Sequence, residues 1–236
     1  MLISFIIMND SKTIVIDIGT RAVKAGFAGD DLPQTVFPSI IGKRKYCAIP
    51  LVIDRKDYIG EEACSKAGIL NLSNIINHGI VNNWVNMEKI LDHAFHQLEA
   101  DPSDHPVLIS EAIRTSNKDR EKMAEIMFEK FEIPSYFIAK DSVLSLISTH
   151  YTSGIVLDIG AGCSTVVSIY EGQYITPSQK RIDFGGINID EYMYEMLHDR
   201  GLEFEASAEK EILRDMKEKF GYVALDFGEE MKKVKK

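Results

Sequence analysis

Residues 14–20 read IVIDIGT, and residues 155–161 read IVLDIGA. In each copy, a run of apolar and mostly β-branched residues predicts a buried strand, an aspartate follows, and a glycine begins a turn. Backbone N–H groups that converge in such a turn can bind an anion. One copy alone would be weak support, because apolar strands that end in Asp and Gly are common in α/β proteins. The repetition predicts two related halves whose turns grip one polyphosphate.

A second apolar stretch follows each copy. Val23–Phe27 follows the first copy, and Thr165–Tyr170 follows the second. Both stretches predict the returning arm of a β-hairpin. We therefore expect both glycine turns at hairpin tips.

The remaining patterns alternate between strands and helices. Apolar residues recur at helical spacing in 88–98 and in 119–131, and buried strands are predicted at 107–111 and 135–138. This alternation predicts an α/β fold with a mainly parallel sheet covered on both sides. A further helix is predicted to begin at Asn188, with Glu191 completing a capping box.

Composition narrows the class of protein. The chain has 236 residues, of which 45% are hydrophobic and 27% are charged, and its net charge is −9. This balance is ordinary for a globular protein and disfavours unspecific binding to nucleic acid or anionic lipid. The three cysteines have no paired spacing, so we expect reduced thiols in a cytosolic or nuclear protein. The apolar residues 2–7 lack the basic leader and cleavage site of a signal peptide.

Several longer segments resemble actin and the actin-related proteins. The resemblance runs from Thr13 to Met231, after which an actin would continue. The matching segments are KAGFAGDD at 24–31, VFPSI at 36–40, YIGEEA at 58–63, HGI at 78–80, NW at 83–84, IYEG at 169–172, RD at 214–215 and YVALDF at 222–227.

The resemblance implies an actin-like ATPase fold, in which two ribonuclease-H-like halves enclose ATP or ADP with Mg²⁺ or Ca²⁺. Hsp70-type chaperones and sugar kinases share this fold, but the quoted segments favour actin, and no sugar-binding pattern is present. We expect a variable extension at 1–12 and a first half at 13–153, with a small lobe at about 38–75. An incomplete second half at 154–236 would leave its sheet with an open edge or in need of a partner.

The resemblance also implies a set of ligand-binding residues. Asp17 and Asp158 would hold the metal through water, and Lys24 would reach the phosphates. From the residues alone, a solvated helix face with an ion pair is favoured over a ligand site for the triplet Arg214, Lys217 and Glu218. The nucleotide-binding positions implied by the resemblance are Asp17, Gly19, Thr20, Lys24, Asp158, Gly160, Gly162, Gly186, Arg214, Lys217 and Glu218.

The chain departs from the family where hydrolysis would occur. Asp141 replaces the glutamine that orients the attacking water, Ala161 replaces an acid, and Thr165 replaces a histidine. An ionised aspartate donates no hydrogen bond and repels the γ-phosphate, so we expect slow hydrolysis or none. The alternative is that Asp141 is catalytic and acts as a general base. Arg21, also unlike the family, would either offset the negative charge or fill the phosphate site.

These expectations favour an actin-like ATP-binding protein of the cytoskeleton, in the cytoplasm. Its partners would be actin-like subunits or actin-binding proteins, with no direct contact to nucleic acid or membrane. The alternative is an actin-related scaffold within a larger assembly, such as a nuclear chromatin complex, that uses nucleotide structurally. The apolar residues 46–53 would either bind a groove on a neighbour or form a buried strand.

Overall fold

The computed structural model describes residues 11–45, 57–113, 115–204 and 207–234. The apolar stretch 46–53 and most of the expected N-terminal extension lie outside the described residues. The chain forms two compact units, of which the first ends at Asn188 and the second begins at Ile189. The domain limits expected from the sequence stay a prediction.

Strands and helices alternate along the described chain. The strands are β1 Ile14–Ile18, β2 Ala22–Phe27, β3 Thr35–Pro38, β4 Ile40–Arg44, β5 Tyr58–Ile59, β6 Leu70–Asn74, β7 Ile76–Asn77, β8 Ile80–Val81, β9 Val107–Glu111, β10 Tyr136–Lys140, β11 Gly154–Ile159, β12 Ser164–Tyr170, β13 Gln173–Tyr174 and β14 Lys180–Ile182. The helices are α1 Glu61–Ser65, α2 Trp84–Gln97, α3 Asn117–Glu125, α4 Asp141–Ser148, α5 Gly186–His198, α6 Ser207–Phe220 and α7 Phe227–Val234.

The first sheet has the strand order β10-β9-β1-β2-β3. β1 pairs with β9 in parallel and with β2 in antiparallel orientation, so the hairpin predicted from the sequence is present. The predicted α/β class is confirmed. The sheet is mixed rather than mainly parallel, because the hairpin arms β2 and β3 occupy one of its sides.

The second sheet repeats the first hairpin. β11 pairs antiparallel with β12, and β12 also pairs with β13 and β14. In the first hairpin Asp17 lies opposite Lys24, and in the second Asp158 lies opposite Thr165. The two copies therefore agree in strand register as well as in sequence.

The main core of the first unit lies between the first sheet and α2. Ile14 and Ile16 of β1 are fully buried, as are Ile90 and Leu91 of α2. Each such side chain contributes roughly 1.5–3 kcal/mol on burial. α2 begins at a side-chain cap, because the Asn83 Oδ1 accepts a hydrogen bond from the Asn86 N–H at 3.0 Å.

β11 differs from β1 in burial although the sequences match. Ile155 and Leu157 are 75% and 66% exposed, whereas the corresponding Ile14 and Ile16 are fully buried. Within the described residues, β11 pairs with β12 alone and forms an edge of its sheet. An exposed apolar edge strand is a site for pairing with another chain.

Two predicted helices differ in detail from the observed ones. The helix expected at 119–131 is α3 followed by a π-helical segment at Ile126–Lys130. The helix expected to begin at Asn188 begins at Gly186, and the Asn188 Oδ1 accepts a hydrogen bond from the Gly185 N–H at 2.9 Å. Asn188 is thus the third residue of the helix and does not occupy the N-cap position.

The second unit contains α6 and α7. Leu213 of α6 is buried, whereas Ile212 and Phe220 on the same helix are exposed. The apolar side chains of α6 are therefore only partly covered. None of the helices in the described ranges is both long enough and apolar enough to span a bilayer.

Candidate functional site

The two repeated turns close in the same way. The Gly19 N–H donates to the Ala22 carbonyl at 3.0 Å, and the Gly160 N–H donates to the Cys163 carbonyl at 2.9 Å. Both turns line one cleft with a volume of about 760 Å³, a size typical of small-molecule sites. Of the predicted residues, those that line the cleft are Asp17, Gly19, Thr20, Lys24, Asp141, Asp158, Gly160, Ala161 and Gly162.

The turns also touch each other. A Cβ atom built on Gly162 would lie 2.7 Å from the Thr20 Oγ1 and 3.0 Å from the His78 Cα. A side chain at this position would force the Thr20 side chain or the backbone at His78 to shift, so glycine permits the close approach of the second turn to the first.

The turn at His78 and Gly79 joins both loops. The Gly79 N–H donates to the Thr20 Oγ1 at 3.2 Å, and the His78 Nδ1 lies 2.5 Å from the Gly162 carbonyl oxygen. Since a carbonyl oxygen only accepts, this contact requires the His78 Nδ1 to carry the proton. In the sequence, the HGI segment contributes only to the family resemblance, and no pattern there indicates this role.

Arg181 of β14 holds the same turn from the other side. Its side chain is 9% exposed and pairs with Asp183, with Nε 2.8 Å from Oδ1. Its guanidinium also donates to the backbone carbonyls of His78 and Ile113. A single arginine in a short strand gives no signal in the sequence, so this link between the two sheets was missed.

Asp17 is held at the end of β1 by two neighbours. The Ser110 Oγ donates to its Oδ1 at 2.5 Å, and the Lys24 Nζ lies 3.2 Å from its Oδ2. Both Asp17 and Lys24 are about half exposed toward solvent. The first turn thus has a carboxylate and an ammonium group at its base, and its role in phosphate binding stays a prediction.

The second loop is backed by the start of α5. The Gly186 N–H donates to the Gly160 carbonyl at 3.1 Å, and the Ile187 N–H donates to the Ala161 carbonyl at 2.9 Å. A Cβ on Gly185 would lie 2.5 Å from the Gly160 carbonyl oxygen. The loop carbonyls are therefore occupied on the side of α5. The predicted role of Gly186 in nucleoside binding stays a prediction.

Asp141 is the first residue of α4 and lines the cleft. Burial raises the pKa of Asp141 to about 6, and the negative charges of Asp158 and Asp17 act in the same direction. The Ser142 N–H donates to its Oδ1 at 2.5 Å, which opposes the rise. At neutral pH Asp141 thus adds a negative charge to a cleft that Asp17, Asp158, Glu111 and Asp119 also line.

Thr165 and Ala161 occupy the other positions where the family pattern is lost. Thr165 is 4% exposed, and its Oγ1 has no hydrogen-bond partner within the described part of the chain. Ala161 lies on the cleft and offers no side-chain acceptor. Neither residue supplies a ring nitrogen or a carboxylate to the cleft.

The described residues include no group of three or more His, Cys, Asp or Glu side chains arranged to hold a metal directly. A divalent cation here would need oxygen ligands from water and phosphate. Mg²⁺ and Ca²⁺ both accept such ligands, and Mg²⁺ commonly keeps several waters beside one or two carboxylates. The partly exposed Asp17 and the exposed Asp158 fit a cation bound through water.

In the second unit, the triplet predicted to bind the nucleoside forms ion pairs. Arg214 pairs with Glu211, and its Nε lies 3.7 Å from the Glu218 Oε1. The Lys217 Nζ lies 2.7 Å from the Asp190 Oδ1. These are contacts of a helix face with ion pairs, and the nucleoside-binding role of the triplet stays a prediction.

The family model for Actin matches residues 8–236 of this chain. The match therefore spans both repeated turns, the turn at His78 and all the residues that line the cleft.

Proposed function

The chain belongs to the actin family, and on this premise we propose that it binds ATP or ADP, with Mg²⁺ or Ca²⁺, between its two repeated turns. Actin-family proteins are nucleotide-binding proteins that use a divalent cation, and this chain is an actin-like nucleotide-binding protein. The observation that carries the proposal is the shared cleft, because Thr20 and Gly162, one from each turn, line it and nearly touch.

Each proposed ligand has a chemical reason. The backbone N–H groups of Thr20 and Gly162 suit phosphate oxygens, whereas the N–H groups of Gly19 and Gly160 close the two turns that present them. Lys24 supplies a positive charge, and Asp17 and Asp158 bind the waters of the cation. Gly186, Arg214, Lys217 and Glu218 complete the proposal as the nucleoside-binding residues.

The proposal includes slow hydrolysis. Above pH 6 the Asp141 carboxylate is ionised, so it can accept a hydrogen bond from water but cannot donate one to a phosphate oxygen. Its charge also repels an incoming polyphosphate. Ala161 and Thr165 replace an acid and a histidine of the family, so these two positions supply neither a carboxylate nor a ring nitrogen to order water.

Under single-turnover conditions, we expect the chain to release phosphate from ATP at least about 10²-fold more slowly than a conventional actin, since a positioned group for water activation contributes about 10² to 10⁴ in rate. The measurement is the phosphate released after mixing excess protein with ATP and Mg²⁺. Asp141→Gln should raise the rate, because an amide restores a donor without the charge. A lower rate in Asp141→Gln would instead assign Asp141 as a general base, and an actin-like rate in the wild type would contradict the proposal.

We also propose a cytoskeletal role in the cytoplasm, with actin-like subunits or actin-binding proteins as partners. The exposed apolar face of β11 favours a second candidate, a scaffold held within a larger assembly, because Ile155, Leu157 and Ile159 would be covered there. Sedimentation that depends on salt and nucleotide would support filament formation. Stable monomers that bind a basic partner would support the scaffold.

A further inference from the structure

Arg21 lies at the tip of the first turn, at a position where the second turn has glycine. The turns close between Gly19 and Ala22 and between Gly160 and Cys163. Counting from these glycines, Thr20 corresponds to Ala161, and Arg21 corresponds to Gly162. The two hairpins are therefore equivalent in backbone but differ at the third position of the turn.

This equivalence relates the position of Arg21 to the observed contact between the two turns. Gly162 approaches Thr20 so closely that a Cβ would lie 2.7 Å from its Oγ1. By the turn equivalence, Arg21 corresponds to Gly162 and Ala161 corresponds to Thr20, so these two residues hold the positions that meet in the observed contact. Arg21 and Ala161 both line the cleft, and the Arg21 Nη2 is shielded from solvent.

The backbone of Arg21 is held in place by a buried serine. Ser39 is 1% exposed, its N–H donates to the Arg21 carbonyl at 3.0 Å, and its Oγ donates to the Gly19 carbonyl at 2.7 Å. The side chain thus begins from a fixed turn. Such preorganisation lowers the entropy cost of binding a ligand.

The positive charge of Arg21 would offset negative charges that line the cleft. Asp17, Asp141 and Asp158 all line the cleft, and their carboxylates would repel a polyphosphate. A guanidinium group binds phosphate oxygens through two parallel hydrogen bonds and keeps its charge at all relevant pH values.

We propose that Arg21 binds the terminal phosphates of the nucleotide and sets the preference of the cleft for ligands with more phosphate groups. This inference rests on the proposed nucleotide-binding function. It excludes the alternative in which the Arg21 side chain fills the phosphate position and keeps nucleotide out.

The test is calorimetric titration of the full chain with AMP, ADP and ATP, at fixed Mg²⁺ and ionic strength. Arg21→Gln should weaken ATP binding about 10- to 100-fold, as expected for the loss of hydrogen bonds between charged groups. The loss should be smaller for ADP and smallest for AMP. Arg21→Lys, which keeps the charge without the planar fork, should be intermediate. Arg44→Gln is the matched control, because Arg44 lies on β4 in the small lobe, where its Nη2 donates to the Tyr58 hydroxyl at 3.3 Å.

Equal losses for the three nucleotides, or none, would overturn the inference while leaving the proposed function in place. Tighter ATP binding by Arg21→Gln would also overturn it and would show that the arginine occupies the phosphate position. The proposed function itself would fail, and this inference with it, if neither the wild type nor any variant bound nucleotide. Thermal melts of each variant identify a loss that comes from misfolding, and Arg21→Lys then provides the deciding comparison.

Discussion

Gly162→Ala is expected to lower the affinity for ATP by about tenfold to 100-fold. The added methyl group would lie 2.7 Å from the Thr20 Oγ1 and 3.0 Å from the His78 Cα, so the Thr20 side chain or the backbone at His78 must shift. Overpacking of this kind typically costs about 1–3 kcal/mol. Because the clash lies between the two phosphate loops, the movement should open the place where one polyphosphate contacts both. Titration with ATP and Mg²⁺ measures the loss.

The control for this variant is Gly68→Ala, since a Cβ at Gly68 would meet no heavy atom within 4 Å in the described part of the chain beyond its two chain neighbours. Gly68→Ala should leave ATP binding unchanged. If Gly162→Ala bound ATP as tightly as Gly68→Ala does, the contact between the turns would have no part in nucleotide binding.

Asp141→Asn is expected to stabilise the chain at pH 8 by up to about 3 kcal/mol, and by little at pH 4. The pKa of Asp141 is raised from 3.8 to about 6, so the folded state binds this proton more tightly than the unfolded state does. The contribution of Asp141 to stability is therefore greatest below about pH 4, falls as the pH rises to about 6, and stays lower above that. The ionised form costs about 1.4 kcal/mol for each unit of difference in pKa, and the neutral amide avoids this cost.

Urea unfolding of both proteins at pH 4 and pH 8 tests this prediction. Asp31→Asn serves as a control, because Asp31 is exposed and surface substitutions usually change stability by less than about 0.5 kcal/mol. A gain for Asp141→Asn of the same size at both pH values would mean that the titration of Asp141 is not its cause.

The local part of the site follows from the sequence, whereas the long-range part does not. A β-branched run, an aspartate and a glycine turn specify each hairpin, because these preferences act between neighbouring residues. Hairpin register then sets Lys24 opposite Asp17 without further information. The role of His78, by contrast, depends on Gly162, 84 positions further along the chain, and no periodic pattern connects the two.

The burial of β11 and the first residue of α5 also depend on tertiary contacts, which the local sequence does not specify. β1 and β11 have nearly the same sequence, yet β1 is covered on both sides by strands and β11 is exposed, because burial depends on the neighbours that a strand receives. α5 begins at Gly186, before the predicted cap at Asn188. The Gly186 N–H donates to the Gly160 carbonyl, and a Cβ at Gly185 would lie 2.5 Å from that carbonyl oxygen. The first residue of this helix is therefore set by the packing of the helix on the loop and not by the preference of asparagine for the cap position.

The most direct test of the account is calorimetric titration of ATP with Mg²⁺ into the wild type, Asp17→Ala, Asp158→Ala and the double variant. We predict one ATP site in the wild type and a loss of at least about tenfold in affinity for each single variant. The double variant should lose less than the sum of the two single losses in free energy, because both carboxylates would act on one hydrated cation. Unchanged affinity in either single variant, or fully additive losses, would contradict a single polyphosphate site shared by the two turns.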